Sequence, residues 1–244
     1  MKRFRLVWMG MGVVALAAGP GVSGFGAPPP RADPAAVLLL KDAYSRREHW
    51  GPEFPGFRAD IAVQIGAESG KGTVEVKPRG PNQVRVTLEN AKLRRWATEA
   101  LGSIVAHRQA GDFKRNDGRY PLTLGPEDHH PMGRLLKLND GMGSSYRLKD
   151  GLLMQINRQA GPQMRFTIDM LDYRRTQHNK WLPHLFTVSF FAAKGGALLR
   201  HDTYEDTYRL VGDYYLPNER RQLTAEDGRT TMHVLSLSRQ KLLP

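Results

Sequence analysis

The sequence predicts an α+β protein: an antiparallel β-sheet with two or more helices. Three observations predict it. Apolar and polar residues alternate at period two through most of the chain, two segments instead carry helical spacing, and Gly, Asp and Asn punctuate the alternating runs at short intervals. At 244 residues, 40% hydrophobic and 25% charged, the chain is long and apolar enough to bury a core.

The N-terminus reads as an export signal. Lys2, Arg3 and Arg5 precede the apolar run LVWMGMGVVALAAG, which ends at Pro20 and gives way to the small residues VSGFGA. That layout is a signal peptide over 1–26, cleaved between Gly24 and Ala27, rather than a membrane anchor. The expected location is therefore the periplasm or the extracellular space. Residues 27–34, APPPRADP, form a Pro-rich linker, and 35–244 are expected to make a single α+β domain.

Asp33-Pro34 is an N-cap acceptor followed by a proline suited to the first helical position, so a helix starts there. AAVLLLKDAYSRRE puts Val37, Leu40, Ala43, Tyr44 and Arg47 on one side, and GPEFPG stops it. From Phe57 the period is two: Phe57, Ala59, Ile61, Val63 and Ile65 alternate with Arg58, Asp60, Ala62 and Gln64. ESGKG is expected to turn the chain, GTVEVK to return, RGPN to turn again and QVRVTLE to form a third strand. Residues 90–109 revert to helical spacing, with Leu93, Trp96, Ala97, Ala100, Leu101, Ile104 and Val105 in one stripe.

Residues 111–133 are rich in Gly, Pro and Asp and read as a long loop or a series of short turns. Strands then follow to the end: SSYRLKDG, GLLMQINRQ, QMRFTIDMLDY, HLFTVSFFAAKGG, ALLRHDTYEDTYRLVGDYYLP, ERRQLTAEDG and RTTMHVLSLSR. Their joints are Asp150-Gly151, Ala160-Gly161-Pro162, Asn179-Lys180, Gly195-Gly196, Gly212-Asp213 and Asp227-Gly228. Tyr204, Tyr208, Tyr214 and Tyr215 are expected to pack between strands, and Pro217 to interrupt the pairing.

This order of elements resembles the fold of the periplasmic lipoprotein carrier and its relatives. Local echoes are Leu182-Pro183 before HLFTVSF, and Tyr208 through Gly212 to Leu216-Pro217. The resemblance implies a strongly curved antiparallel β-sheet, an open half-barrel wrapped around two or more helices, and a space between sheet and helices that holds acyl chains. The chain is also similar, over roughly its whole length after the signal, to the family called domain of unknown function 3386. That similarity rests on FPGF (54–57) leading into FRADI and on the pattern around VGDYYLP. The family has no established activity, so no catalytic residue is carried over.

Composition excludes several chemistries. The absence of cysteine removes disulfides, thiolate metal sites, a cysteine nucleophile and a lipid-modified N-terminal cysteine. Without the three signal cations, 33 Lys and Arg face 24 acids. They fall in scattered doublets such as Arg94-Arg95 and Arg220-Arg221, which suit peripheral contact with an anionic membrane surface or envelope polymer better than nucleic acid.

No serine-hydrolase elbow, phosphate loop, dinucleotide fingerprint or paired metal spacing is present, and no cofactor is expected. In GPEDHHPMG, His129 and His130 beside Glu127 and Asp128 are weak metal candidates, because neighbours in sequence rarely share one ion. The expected function is non-enzymatic binding or carriage of a hydrophobic, lipid-like ligand. Its expected lining is Trp96, Leu101 and Ile104 on the second helix with Phe57, Ile61, Phe166, Phe186 and Phe190 on strands. The same residues also suit a solid core. The alternatives are a metal-dependent or hydrolytic enzyme with its site in 111–133, and a structural or protein-binding envelope module.

Overall fold

The protein is seen here as a computed structural model that describes residues 31–80, 83–109 and 111–244. The expected signal peptide, residues 27–30 of the Pro-rich linker and Pro81-Asn82 of the expected second turn lie outside the described residues. Helix α1 spans Pro34–Ser45, and Asp33 caps it by accepting a 2.8 Å hydrogen bond from the Ala35 N–H. The helix ends three residues earlier than the spacing predicts. Arg46–Glu48 peel away because their backbone pairs instead with Trp181, whose N–H donates to Arg46 O and whose carbonyl accepts from Glu48 N–H.

Strands β1 (Phe57–Ile65) and β2 (Glu68–Val76) form a hairpin closed by Gly66-Ala67, with Gly66 at φ +57°. The expected turn at ESGKG is thus a strand. Its glycines serve close approach: a Cβ on Gly72 would lie 1.9 Å from the Thr87 carbonyl oxygen, and one on Gly70 would press on Leu88 and Leu93. Strand β3 (Val84–Thr87) follows, then helix α2 (Ala91–Arg108), capped by the Asn90 side chain on the N–H groups of Lys92 and Leu93.

The region expected to be loop holds two short 3-10 turns, Phe113–Arg115 and Asp117–Arg119, and strand β4 (Leu122–Leu124). Strand β5 (Arg134–Leu138) was not among the expected strands. Next come β6 (Ser145–Lys149), β7 (Leu152–Ala160), β8 (Met164–Arg175), β9 (Trp181–Ala192), β10 (Leu198–Val211), β11 (Tyr214–Glu226) and β12 (Arg229–Leu242). Asp150-Gly151 and Asp227-Gly228 adopt positive φ at both positions, as two-residue hairpin turns require. Pro217 does not end its strand: β11 runs through it, and the missing N–H is absorbed at a bulge where Tyr208 faces Pro217 and Thr207 faces Glu219.

All twelve strands join in one unclosed sheet, ordered β3-β2-β1-β12-β11-β10-β9-β8-β7-β6-β5-β4. Every pairing is antiparallel, and β1 closes on the last strand, with Ile61 opposite Leu237 and Val63 opposite Leu235. The helices pack chiefly at opposite ends, α2 on β1–β3 and α1 on β4 and β6. Under α2, Leu93, Ala97, Leu101, Ile104 and Val105 are buried against Phe57, Ile61, Val63, Val74 and Leu235. Each such aliphatic or aromatic side chain stabilises by about 1.5–3 kcal/mol. A smaller core forms under α1 from Ala36, Leu40, Ala43, Leu122, Leu136 and Tyr146.

Although the helices sit at opposite ends, their C-termini meet. Tyr44 OH donates 2.6 Å to Gly111 O, Arg47 Nη2 donates 3.4 Å to His107 O, and the Trp50 N–H donates 2.6 Å to Arg108 O.

Candidate functional site

Between the two cores, the sheet face shared with both helices continues across β8–β11. Strand alternation and register set its rows. Phe166 lies opposite Phe190, which lies opposite Arg200; Ile168 opposite Val188, then Asp202 and Thr224; Met170 opposite Phe186, then Tyr204 and Gln222. Ile168 also packs on the core under α1, which places these rows on the helix side. Phe186 stacks on Tyr204 with ring centres 4.8 Å apart, and Phe166 lies 6.2 Å from Phe190. Val188, Phe190 and Tyr204 are buried, but Met164, Phe166, Ile168 and Phe186 are only half covered.

The eight expected lining residues therefore fall into two groups. Phe57, Ile61, Leu101 and Ile104 are consumed in the solid core under α2, while Phe166, Phe186 and Phe190 form this separate strip. Trp96 stands between them, half-buried at the edge of the α2 core. Its Nε1 donates 3.4 Å to Gln222 Oε1, and Gln222 faces Tyr204 across the strands.

A buried polar belt borders the strip. Asp202, Tyr204, Asp206 and Tyr208 occupy every second position of β10, and Arg220, Gln222 and Thr224 do the same on β11. Arg220 grips Asp206 through two bonds of 2.7 and 2.6 Å, and its third nitrogen reaches Ala100 O on α2. Burial opposes the Arg220 charge, but Asp206 more than offsets it, so the guanidinium's pKa is raised. Asp202 is held in turn by Arg200, Thr224 and Tyr204. Sequence reasoning missed this belt because charged residues in strands read as solvent-facing. The signal was the D-Y-D-Y spacing of HDTYEDTYR, which puts all four on one face.

The segment 46–56 crosses one end of the strip. Glu48 is buried there, accepting 2.7 Å from Thr176 Oγ1 and lying 3.0 Å from His178 Nδ1. Beside it stand Arg47 and His49, and from α2 His107 and Arg108. Arg108 is 3% exposed; it donates 3.0 Å to Tyr208 OH and 3.4 Å to Glu48 O, and its ring-facing cation sits 5.1 Å from the Tyr208 centroid. Burial, then the charges of Arg47 and Arg108, pushes His49 down to about 4 and His107 to about 3.

The 111–133 segment offers less. Asp128 is clasped by Arg147 of β6 at 2.6 Å, which holds its carboxyl down at about 2, and His130 Nδ1 accepts from the Met132 N–H. His129 sits in the turn at φ +48°. Among the described residues no group of three or more His, Asp or Glu side chains is arranged to hold a metal ion. An open groove of about 730 Å³ lies elsewhere, between β3 and α2, where Lys77, Arg85, Arg94 and Arg95 outnumber Glu99. No helix of the described residues is long and apolar enough to cross a membrane.

The chain belongs to the family described as "Protein of unknown function (DUF3386)", which matches residues 32–243. No curated protein matches it. Among solved structures, a domain assigned to outer membrane lipoprotein sorting from Vibrio parahaemolyticus is 14% identical, with a TM-score of 0.30, covering 85% of this chain and 92% of its own. MucB in complex with MucA(peri) is 12% identical, with a TM-score of 0.20, covering 87% of this chain and all of its own. Likenesses this distant decide neither fold nor function.

Proposed function

We propose that the protein is a non-enzymatic binder or carrier of a hydrophobic, lipid-like ligand in the cell envelope, held on the strip between the helices. One observation carries the reading: Met164, Phe166, Ile168 and Phe186 are only half-buried on the inner sheet face, between the ends that α2 and α1 cover. A contiguous apolar surface left open in this way is a binding surface rather than unfinished core. In this reading the sheet is curled as a half-barrel, which brings together the C-termini of helices packed at its opposite ends; the contact of Tyr44 with Gly111 supports it. Export rests on the N-terminal charge and apolar run, and the basic surface suits transient contact with an anionic membrane.

The test is a titration with the neutral apolar dye N-phenyl-1-naphthylamine. The account expects saturable binding that weakens several-fold in Phe186→Ala and is unchanged by Leu171→Ser on the outer face. Binding that is absent, or indifferent to Phe186, would remove the proposal.

A second reading, a protein-binding module, is favoured by the basic groove beside β3, whose outer edge has no neighbouring strand among the described residues.

A further inference from the structure

Arginines with little exposure usually have an acid. Here Arg147 has Asp128, Arg200 has Asp202 and Arg220 has Asp206, each within 3 Å, and Arg158 approaches Asp117 at 3.8 Å. Arg47 and Arg108 differ. Among the described residues neither meets a carboxylate within 4 Å, and the buried Arg108 Nε has no acceptor at all. They are also close enough to repel each other, so that burial and then Arg108 lower the Arg47 pKa. Two guanidiniums so close together and without an ion pair are costly to the fold unless an anion joins them.

Their position is as informative as their charge. Arg108 bonds Tyr208, Tyr208 OH reaches Asp206 at 3.4 Å, and Arg220, gripped by Asp206, lies over the rings of Tyr204 and Phe186. The unpaired cations therefore stand at one end of the apolar strip. Arg47 is only half-buried and lies against the Tyr44 ring, so a solute can reach it.

We infer that Arg47 and Arg108 bind the anionic head group of an amphiphile whose chain lies on the strip, which makes the ligand of the proposed carrier a long-chain carboxylate or a lipid anion of similar shape. This rests on the carrier reading and narrows it. A carboxylate at Arg47 would neutralise the repelling pair, whereas an alcohol could accept a bond but not supply the charge.

The experiment displaces N-phenyl-1-naphthylamine from the delipidated full-length protein with hexadecanoate, hexadecanol or acetate. Hexadecanoate should compete about tenfold or more better than hexadecanol, as a charge-assisted bond to a buried cation requires. Arg47→Gln should shrink that ratio to about twofold, while Arg174→Gln, an exposed arginine of β8 outside the cluster, should keep it. Equal competition by acid and alcohol, or an undiminished ratio in Arg47→Gln, would overturn the head-group site while leaving the carrier standing. Displacement by acetate alone would make it a site for small free anions and overturn the amphiphile. If dye never binds, or neither long-chain ligand displaces it, both proposals fall together. Arg108→Lys, which keeps a cation but cannot present the same planar donors, provides a second variant and should lower the ratio by severalfold.

Discussion

The two ends of the sheet and its middle are made from the same alternation of residues but are finished differently. Under α2, β1 sends Phe57, Ile61 and Val63 toward a helix that answers with Leu93, Leu101 and Ile104, and all six are buried. In the middle, β8 and β9 send Phe166, Ile168, Phe186 and Val188 the same way with no comparable apolar partner above them, and an ion-paired belt on β10 and β11 takes the place of a helix stripe. Strand pattern decides which face a side chain takes. Whether that face becomes core or binding surface is decided by what the chain lays over it.

The largest effect should come from the belt. Asp206→Ala leaves Arg220 buried without its acid and should cost about 3–5 kcal/mol in urea unfolding. If the loss were near zero, Arg220 would have found water, and the belt would not be the dry boundary described here. Next, Leu101→Ala under α2 should cost about 2–5 kcal/mol, whereas Phe166→Ala on the half-open strip should cost roughly half as much or less. Equal losses would mean that the strip is core after all and the contrast between the regions is empty.

Much of this architecture was legible. The Asp33-Pro34 start, the α2 stripe and the Asp-Gly hairpins are local signals, and locality is what a sequence displays. What escaped depends on distant partners. Gly70 and Gly72 read as a turn, but they clear space for Leu88, Leu93 and Thr87. Strands β4 and β5 are short and sit among turn residues, and only pairing at the sheet's far edge identifies them. Pro217 was expected to break the pairing, but a bulge accommodates it. Of the residues expected to line a site, Phe166, Phe186 and Phe190 lie on the strip and Trp96 lies beside it. The division from Phe57, Ile61, Leu101 and Ile104 was not foreseen, because an apolar face looks alike with or without a cover. The unpaired Arg47 and Arg108 were invisible, since no spacing rule reports that a cation lacks an acid.

A separate expected effect is acid sensitivity. His49 and His107 titrate near 4 and 3 in the folded protein against 6.5 for a free imidazole, so below pH 6.5 the unfolded chain binds protons that the folded one refuses. Their contribution is intact above pH 6.5 and is lost progressively as the pH falls through 4 toward 3. The urea midpoint should therefore be lower at pH 5 than at pH 7.5, and Arg47→Gln should flatten the difference by relieving part of the repulsion. A midpoint that is flat or rises on acidification would show that these imidazoles are hydrated and that the end of the strip is open to water.

The central claim, that the half-buried strip is a ligand surface, is tested most directly by native mass spectrometry of the protein purified gently from the cell envelope. The account predicts an added mass of lipid size that diminishes in Phe166→Ala and Phe186→Ala. A bare protein mass, identical in the variants and unchanged after incubation with long-chain carboxylates, would contradict it.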